Sequence, residues 1–264
     1  MEARLNPAQF LQWYADIGVD EAIGEISPDR MQPQNHIPEK AASLSAPYGA
    51  PPPVRGTVES LKEAVLLASK AQTLEELKAA MENFQGLALL KRTATQIVFS
   101  DGAPAAKVML VGEAPGAEED LAGRPFAGAH GELLDKMLTA IGLIRASDVY
   151  ITTVVNWRPP GNRALSEAEV ALSRPFVQRH IELVNPEVLV CVGGGAAKAL
   201  LLTSQSILRL RGKWMDYSSE GLKRTIPALA MLTPAYLMEA PAQKKLAWAD
   251  LLMLKEKLTE LGVL

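Results

Sequence analysis

The stretch Val108-Met109-Leu110-Val111-Gly112-Glu113-Ala114-Pro115-Gly116 is an apolar run that breaks into a Gly/Pro loop, and it continues through Glu119-Asp120 and Gly123-Arg124-Pro125-Phe126 to a helix start near Leu133-Leu134. Gly112 and Gly116 permit backbone geometry closed to other residues, and Pro115 stiffens the turn between them. Glu113 is thereby expected at the carboxyl end of a buried strand, which is where parallel α/β sheets bind their ligands.

On either side, short apolar runs expected as strands (residues 97–99, 108–111, 149–155, 188–192 and 226–232) alternate with helical periodicity at residues 133–141, 167–184, 196–202 and 244–261. Such alternation predicts an α/β fold, a three-layer α/β/α sandwich with a central, mostly parallel sheet. Two helices precede it. One covers residues 58–71, and Thr73-Leu74-Glu75-Glu76 opens the second as a capping box, the helix ending near Gly86. Further upstream, Asn6-Pro7 followed by Phe10, Leu11, Tyr14 and Ile17 reads as an amphipathic helix within residues 1–26. Seven of the 18 prolines fall between Ser27 and Pro53, so residues 27–56 read as a linker. The folded domain is expected over residues 57–264.

The 264 residues carry a net charge of −3, yet residues 1–56 hold seven acids and four bases, so the remainder is neutral. A local phosphate-binding rim is compatible with that balance, and so is an ordinary solvated charged surface. No apolar run approaches the length of a membrane span, and no basic segment leads into an apolar one at the start. These features predict a soluble, cytoplasmic protein. Cys191, the single cysteine, sits in the apolar run at residues 188–192 and reads as a small core residue. The three histidines, His36, His130 and His180, lack metal-ligand spacing, and no metal site is expected.

The run Gly112-Glu113-Ala114-Pro115-Gly116 with Gly123-Arg124-Pro125-Phe126 closely resembles the first motif of the family 4 uracil-DNA glycosylases. Four more motifs follow in that family's order: Tyr150-Ile151-Thr152-Thr153 leading to Arg158-Pro159-Pro160-Gly161-Asn162-Arg163; the glycines after Cys191; Arg209-Leu210-Arg211-Gly212-Lys213-Trp214; and Thr233-Pro234-Ala235-Tyr236-Leu237. The resemblance spans roughly residues 73 to 255. It implies the same three-layer fold and a DNA glycosylase that flips uracil or a related deaminated base from DNA and hydrolyses its N-glycosidic bond in base-excision repair. DNA is the implied partner, bound by a monomer. The N-terminal segment is a further candidate for contact with a protein partner.

A glycosylase must stabilise a sugar that becomes cationic while the base departs with negative charge. By the resemblance, Glu113 holds the water and faces the cation, and Phe126 stacks on the extruded base. Gly112, Ala114, Pro115 and Gly116 offer backbone contacts, and Thr153 stands at the base-reading position. Pro234, Tyr236 and Leu237 form the loop that wedges into DNA. Arg158, Asn162, Arg163, Arg209, Arg211 and Lys213 are the expected DNA contacts. Structural readings stand beside these: Glu113 as a helix cap, Phe126 as a core anchor, and residues 233–237 as a plain connection with its apolar side chains turned inward.

Three departures bear on activity. Thr233 stands where the family has a His that donates to the leaving base, and Thr153 stands where it has a base-reading Asn. A single hydroxyl is a weaker donor than the first and carries less pairing information than the second. Leu87, Trp157 and Ser173 fall at positions of the family's iron–sulfur cysteines, so no cluster and no other cofactor are expected. His130, near the start of the helix after Phe126, is a candidate substitute donor. A scaffold that binds DNA with weak or no glycosylase activity is the alternative. Gly193-Gly194-Gly195-Ala196-Ala197-Lys198 prompts a P-loop reading but has the wrong spacing. A Glu113–Asp120 carboxylate pair of glycoside-hydrolase type is left open by spacing.

Overall fold

The computed structural model describes residues 57–264, which lie within a compact unit running from Pro52 to Leu264. The helix expected within residues 1–26 and the linker at 27–56 lie outside the described residues.

Six strands form one sheet: β1 (Asp101–Gly102), β2 (Val108–Gly112), β3 (Val149–Thr153), β4 (Val188–Val192), β5 (Trp214–Tyr217) and β6 (Ile226–Met231), in the order β1-β3-β2-β4-β6-β5. The four central strands are parallel, and β1 and β5 add antiparallel edges. The central strands are apolar almost throughout because both faces of the sheet are covered. Val108, Leu110, Val188 and Val190 point into one core, against α5 (Gly128–Ala140) and α11 (Lys244–Glu260). Met109, Val111, Leu189 and Cys191 point into the other, packing with α1 (Thr57–Lys70), α2 (Leu74–Asn83), α7 (Glu167–Val184) and α8 (Gly194–Leu201). Alternation of side chains along a strand thus produces the three layers.

Helix boundaries follow local chemistry. Thr73 Oγ1 accepts from Glu76 N at 3.2 Å while the Glu76 carboxylate accepts from Gln72 N at 2.7 Å. At Thr73 the return bond thus goes to the residue before the cap, whereas on α7 Ser166 and Glu169 form the full reciprocal capping box, Glu169 accepting from Ser166 N and Ser166 Oγ accepting from Glu169 N. Shorter helices complete the set: α3 (Ala88–Thr93), α4 (Ala117–Ala122), α6 (Arg145–Asp148), α9 (Ile207–Leu210) and α10 (Pro234–Glu239).

Two expectations shift. Residues 97–99 do not join the sheet. They run extended beside Asn156, whose backbone O accepts from Val98 N and whose side-chain amide donates to Val98 O, and the edge strand is Asp101–Gly102 instead. Strand β5 was not expected: it starts at Trp214, the last residue of the Arg209–Trp214 motif, and runs on to Tyr217, and a four-residue edge strand has too little alternation to read.

His180, on α7, is buried, shares a 2.8 Å hydrogen bond with the Tyr150 hydroxyl and stacks on Phe99 at 4.6 Å. Burial lowers its pKa from 6.5 to about 3. The unfolded chain therefore takes up the proton first as pH falls, and the stability held with His180 neutral is intact above about pH 6.5 and lost progressively toward pH 3. At pH 4.5 this group alone is expected to lower stability by about 3 kcal/mol relative to pH 7. His180→Gln should flatten that part of the stability–pH curve in urea titrations; an unchanged slope would contradict it.

Candidate functional site

The carboxyl ends of β2, β3, β4 and β6 open onto a hollow of about 610 Å3. Strand β2 enters it through an elbow at Gly112-Glu113. Two hydrogen bonds extend the β2–β3 ladder past the strand ends, Val154 N to Gly112 O at 2.9 Å and Val155 N to Glu113 O at 3.0 Å. The backbone of Glu113 is thus anchored while its side chain leaves the sheet.

Glu113 is exposed and lines the hollow. Its carboxylate lies directly over Gly195 in the first turn of α8: a Cβ added there would sit 2.0 Å from Glu113 Cδ. The positive end of the helix therefore faces the carboxylate. Glu113 does not cap α4. Glu119 does that, accepting from Gly116 N at 3.0 Å.

Phe126 lines the same hollow, half-buried, with its Cζ edge against Gly112, where an added Cβ would lie 2.9 Å away. Ala114, Pro115 and Gly116 form one wall with Glu118, whose carboxylate packs on Gly128. Thr153 is buried and its hydroxyl donates to Val155 O at 2.9 Å, with its methyl beside Gly112. Thr233 also lines the hollow, while its hydroxyl accepts from Tyr236 N at 3.2 Å as the N-cap of α10. Its methyl abuts Gly193, whose φ of +102° and 2.6 Å clearance exclude a side chain there. His130, on α5, faces the hollow as well.

The expected DNA contacts divide. Asn162 and Arg163 reach the rim. Arg163 forms a bidentate pair with Glu169 at 2.6 and 2.9 Å, which holds that carboxyl down to about 2, and Arg158 donates to Asn162 Oδ1 at 2.7 Å. Arg209 and Lys213 are exposed away from the lining.

Four readings are corrected, for Arg211, Leu237, Pro234 and Asp120. Arg211 is not an available phosphate contact: its guanidinium pairs with the fully buried Asp250 at 2.7 Å and donates to Leu246 O. Leu237 is not an exposed wedge. It is 1% exposed, packed into the core beneath α10, whereas Tyr236 beside it is exposed and Pro234 is buried. The Asp120 pairing also dissolves, because that buried carboxylate accepts from Thr95 N and Thr95 Oγ1.

Gly195, Glu118 and Arg145 escaped the sequence reading. The three glycines at 193–195 were visible, but their use, making room for Thr233 and Glu113, depends on neighbours distant in the chain. Leu87 and Trp157 are buried in the core, and Ser173 Oγ is buried without a hydrogen-bond partner. The Lys91 ammonium lies 4.9 Å from the Trp157 ring centroid and donates to the carbonyls of Met81, Glu82 and Phe84. Burial lowers its pKa to about 8. The alkyl, indole and hydroxyl side chains of Leu87, Trp157 and Ser173 supply no thiolate and do not fit a four-thiolate cluster.

Residues 99–252 match the family model of the uracil DNA glycosylase superfamily. The type-4 uracil-DNA glycosylase of Archaeoglobus fulgidus is 40% identical over 156 residues, covering 58% of this chain and 77% of that protein. That of Sulfurisphaera tokodaii is 34% identical over 166 residues, 61% of this chain and 74% of the relative, and that of Thermotoga maritima 39% over 145 residues, 54% and 72%. With a glycine-flanked carboxylate and an aromatic ring facing one hollow at the head of a parallel sheet, and with these matches over more than half its length, the chain belongs to the uracil DNA glycosylase superfamily, close to its type-4 members.

Proposed function

We propose that this protein is a DNA glycosylase that takes uracil, or a related deaminated base, out of the helix into the hollow and hydrolyses its N-glycosidic bond, initiating base-excision repair. The observation that carries this reading is the placement of the Glu113 carboxylate and the Phe126 ring on the same hollow. The ring stacks on the extruded base. Glu113 orients a water toward C1′ and favours the positive charge that grows on the sugar as the bond to the base breaks. The bonding electron pair leaves with the base, the water oxygen bonds to C1′, and the water proton is released. Thr233 and His130 are the donors available to the departing anion. The backbone from Gly112 to Gly116 contributes the remaining polar contacts. Arg158, Asn162, Arg163, Arg209 and Lys213 contact phosphates, and Tyr236 alone is the wedge. The protein acts as a monomer and without an iron–sulfur cluster.

A second reading, a DNA-binding scaffold with little catalysis, is favoured by one observation: the Thr153 hydroxyl proton is already committed to Val155 O. It then cannot donate to a base edge.

Base release from oligonucleotides carrying uracil, hypoxanthine, xanthine or a thymine mismatch separates the two. Release by the wild type should fall about 100- to 1000-fold in Glu113→Gln. Activity that arises only when Thr153→Asn is combined with Thr233→His would identify the scaffold instead. Gly195→Ala should remove activity about 100-fold, since its methyl occupies the seat of the Glu113 carboxylate and a displacement of about 1 Å at a reacting group is sufficient for that. Its melting temperature should stay near that of the wild type; retained turnover would mean the carboxylate acts from elsewhere. Iron analysis of protein prepared with and without oxygen should find no stoichiometric metal, and about four irons per chain would overturn the cluster-free assignment.

A further inference from the structure

The loop that carries Phe126 is held in an unusual backbone conformation. Phe126 has φ +49°, in the left-handed region that bulky residues rarely occupy, between Gly123 at +69° and Gly128 at +68°. Among these three only Phe126 carries a side chain, so something outside the local sequence must hold it there.

That element is Arg145, at the start of α6 and about twenty residues further along the chain. Its guanidinium is largely buried, with the side chain 13% exposed. Nη2 donates to Pro125 O at 2.5 Å, and Nη1 donates to Phe126 O at 3.1 Å. These two carbonyls belong to the peptide planes on either side of the Phe126 Cα. Fixing both planes fixes φ and ψ of that residue, and with them the direction in which its ring leaves the backbone.

The fork is itself oriented. Nε donates to Asp101 Oδ2 at 2.8 Å, and Nη1 also meets Asp135 Oδ1 at 3.1 Å, so strand β1 and helix α5 aim it from two sides. Ile144 N donates to Asp148 Oδ2 at 2.7 Å and secures the turn from which Arg145 projects. Gly131 completes the arrangement: a Cβ there would lie 1.9 Å from Phe126 O, so α5 approaches that carbonyl as closely as a glycine allows. A planar fork with several rigid donors serves this geometry; the single ammonium of a lysine does not.

We infer that Arg145 is a positioning residue for base recognition, acting through the backbone of Phe126 to hold the stacking ring over the hollow. The inference rests on the proposed role of Phe126 in the glycosylase reading.

The test compares Arg145→Lys, Phe126→Ala and the double variant in steady-state release of uracil from a single-stranded oligonucleotide, together with amide hydrogen exchange over residues 123–131. Arg145→Lys keeps a cation beside Asp101 and Asp135, and should lower kcat/KM about tenfold or more, chiefly through KM, because stacking is present in both the bound and the transition state. In the Phe126→Ala background the same substitution should change kcat/KM by less than about twofold, since the group through which it acts is gone. Amides of the loop should exchange faster in Arg145→Lys. Gly131→Ala perturbs the same carbonyl without removing or replacing a charged group, its methyl meeting Phe126 O first and Arg145 Nη1 only at 3.6 Å, and should give the same loss and the same cancellation, which keeps the test open if the lysine variant is unstable. An equal loss in both backgrounds, or none in the wild-type background, would overturn the inference. A wild type that releases no base would instead defeat the glycosylase reading, and loop exchange in Arg145→Lys unchanged from the wild type would defeat the clamp independently of catalysis.

Discussion

The two hydrogen bonds that continue the β2–β3 ladder beyond its last paired residues, from Val154 and Val155 to the carbonyls of Gly112 and Glu113, are the constraint on which the site depends. A parallel strand buried on both faces must satisfy every backbone polar group, and here its final carbonyls are satisfied by the neighbouring strand. The chain therefore leaves the sheet at one defined residue. Glu113 is the first side chain free of the sheet, and it emerges where β4 hands over to α8, so the carboxylate meets the positive end of a helix.

Around that point the site is shaped by small residues that yield space. Gly112 admits the edge of Phe126, Gly193 admits the methyl of Thr233, Gly195 admits the Glu113 carboxylate, and Gly131 admits the Phe126 carbonyl. Each of these close approaches joins residues far apart in sequence. Charged side chains that resemble ligand contacts are in several cases structural: Arg211 neutralises a buried Asp250, and Arg145 ties a loop to two elements. Truncating one member of a buried pair such as Arg211–Asp250 typically costs about 3–5 kcal/mol, which is reason enough for a basic residue to stand in that motif without touching DNA.

Much of this architecture was legible beforehand. The helix at residues 167–184 was read with its observed bounds from its helical periodicity, and the central strands were read from continuous apolar runs. What was not legible was the edge of the sheet, where β1 has two residues and β5 four, and the fate of adjacent apolar residues. Tyr236 and Leu237 are adjacent bulky side chains in one motif, but the packing of α10 against α5 turns one outward and buries the other.

The primary sequence by itself determined the fold class and the family, because these rest on local period and on motifs read in order. The elbow at Gly112-Glu113 was read from its glycines, but neither Gly112 nor Gly116 takes a positive φ, and Gly112 instead yields space to the Phe126 ring. Only tertiary structure decided which charged groups remain free and what holds Phe126 in place. The reason is physical: a carboxylate near a guanidinium, or a carbonyl within reach of one, is a matter of distance in space. Asp250 lies 39 residues from Arg211 and Asp101 lies 44 from Arg145, so each pair is brought together only when the strands and helices pack.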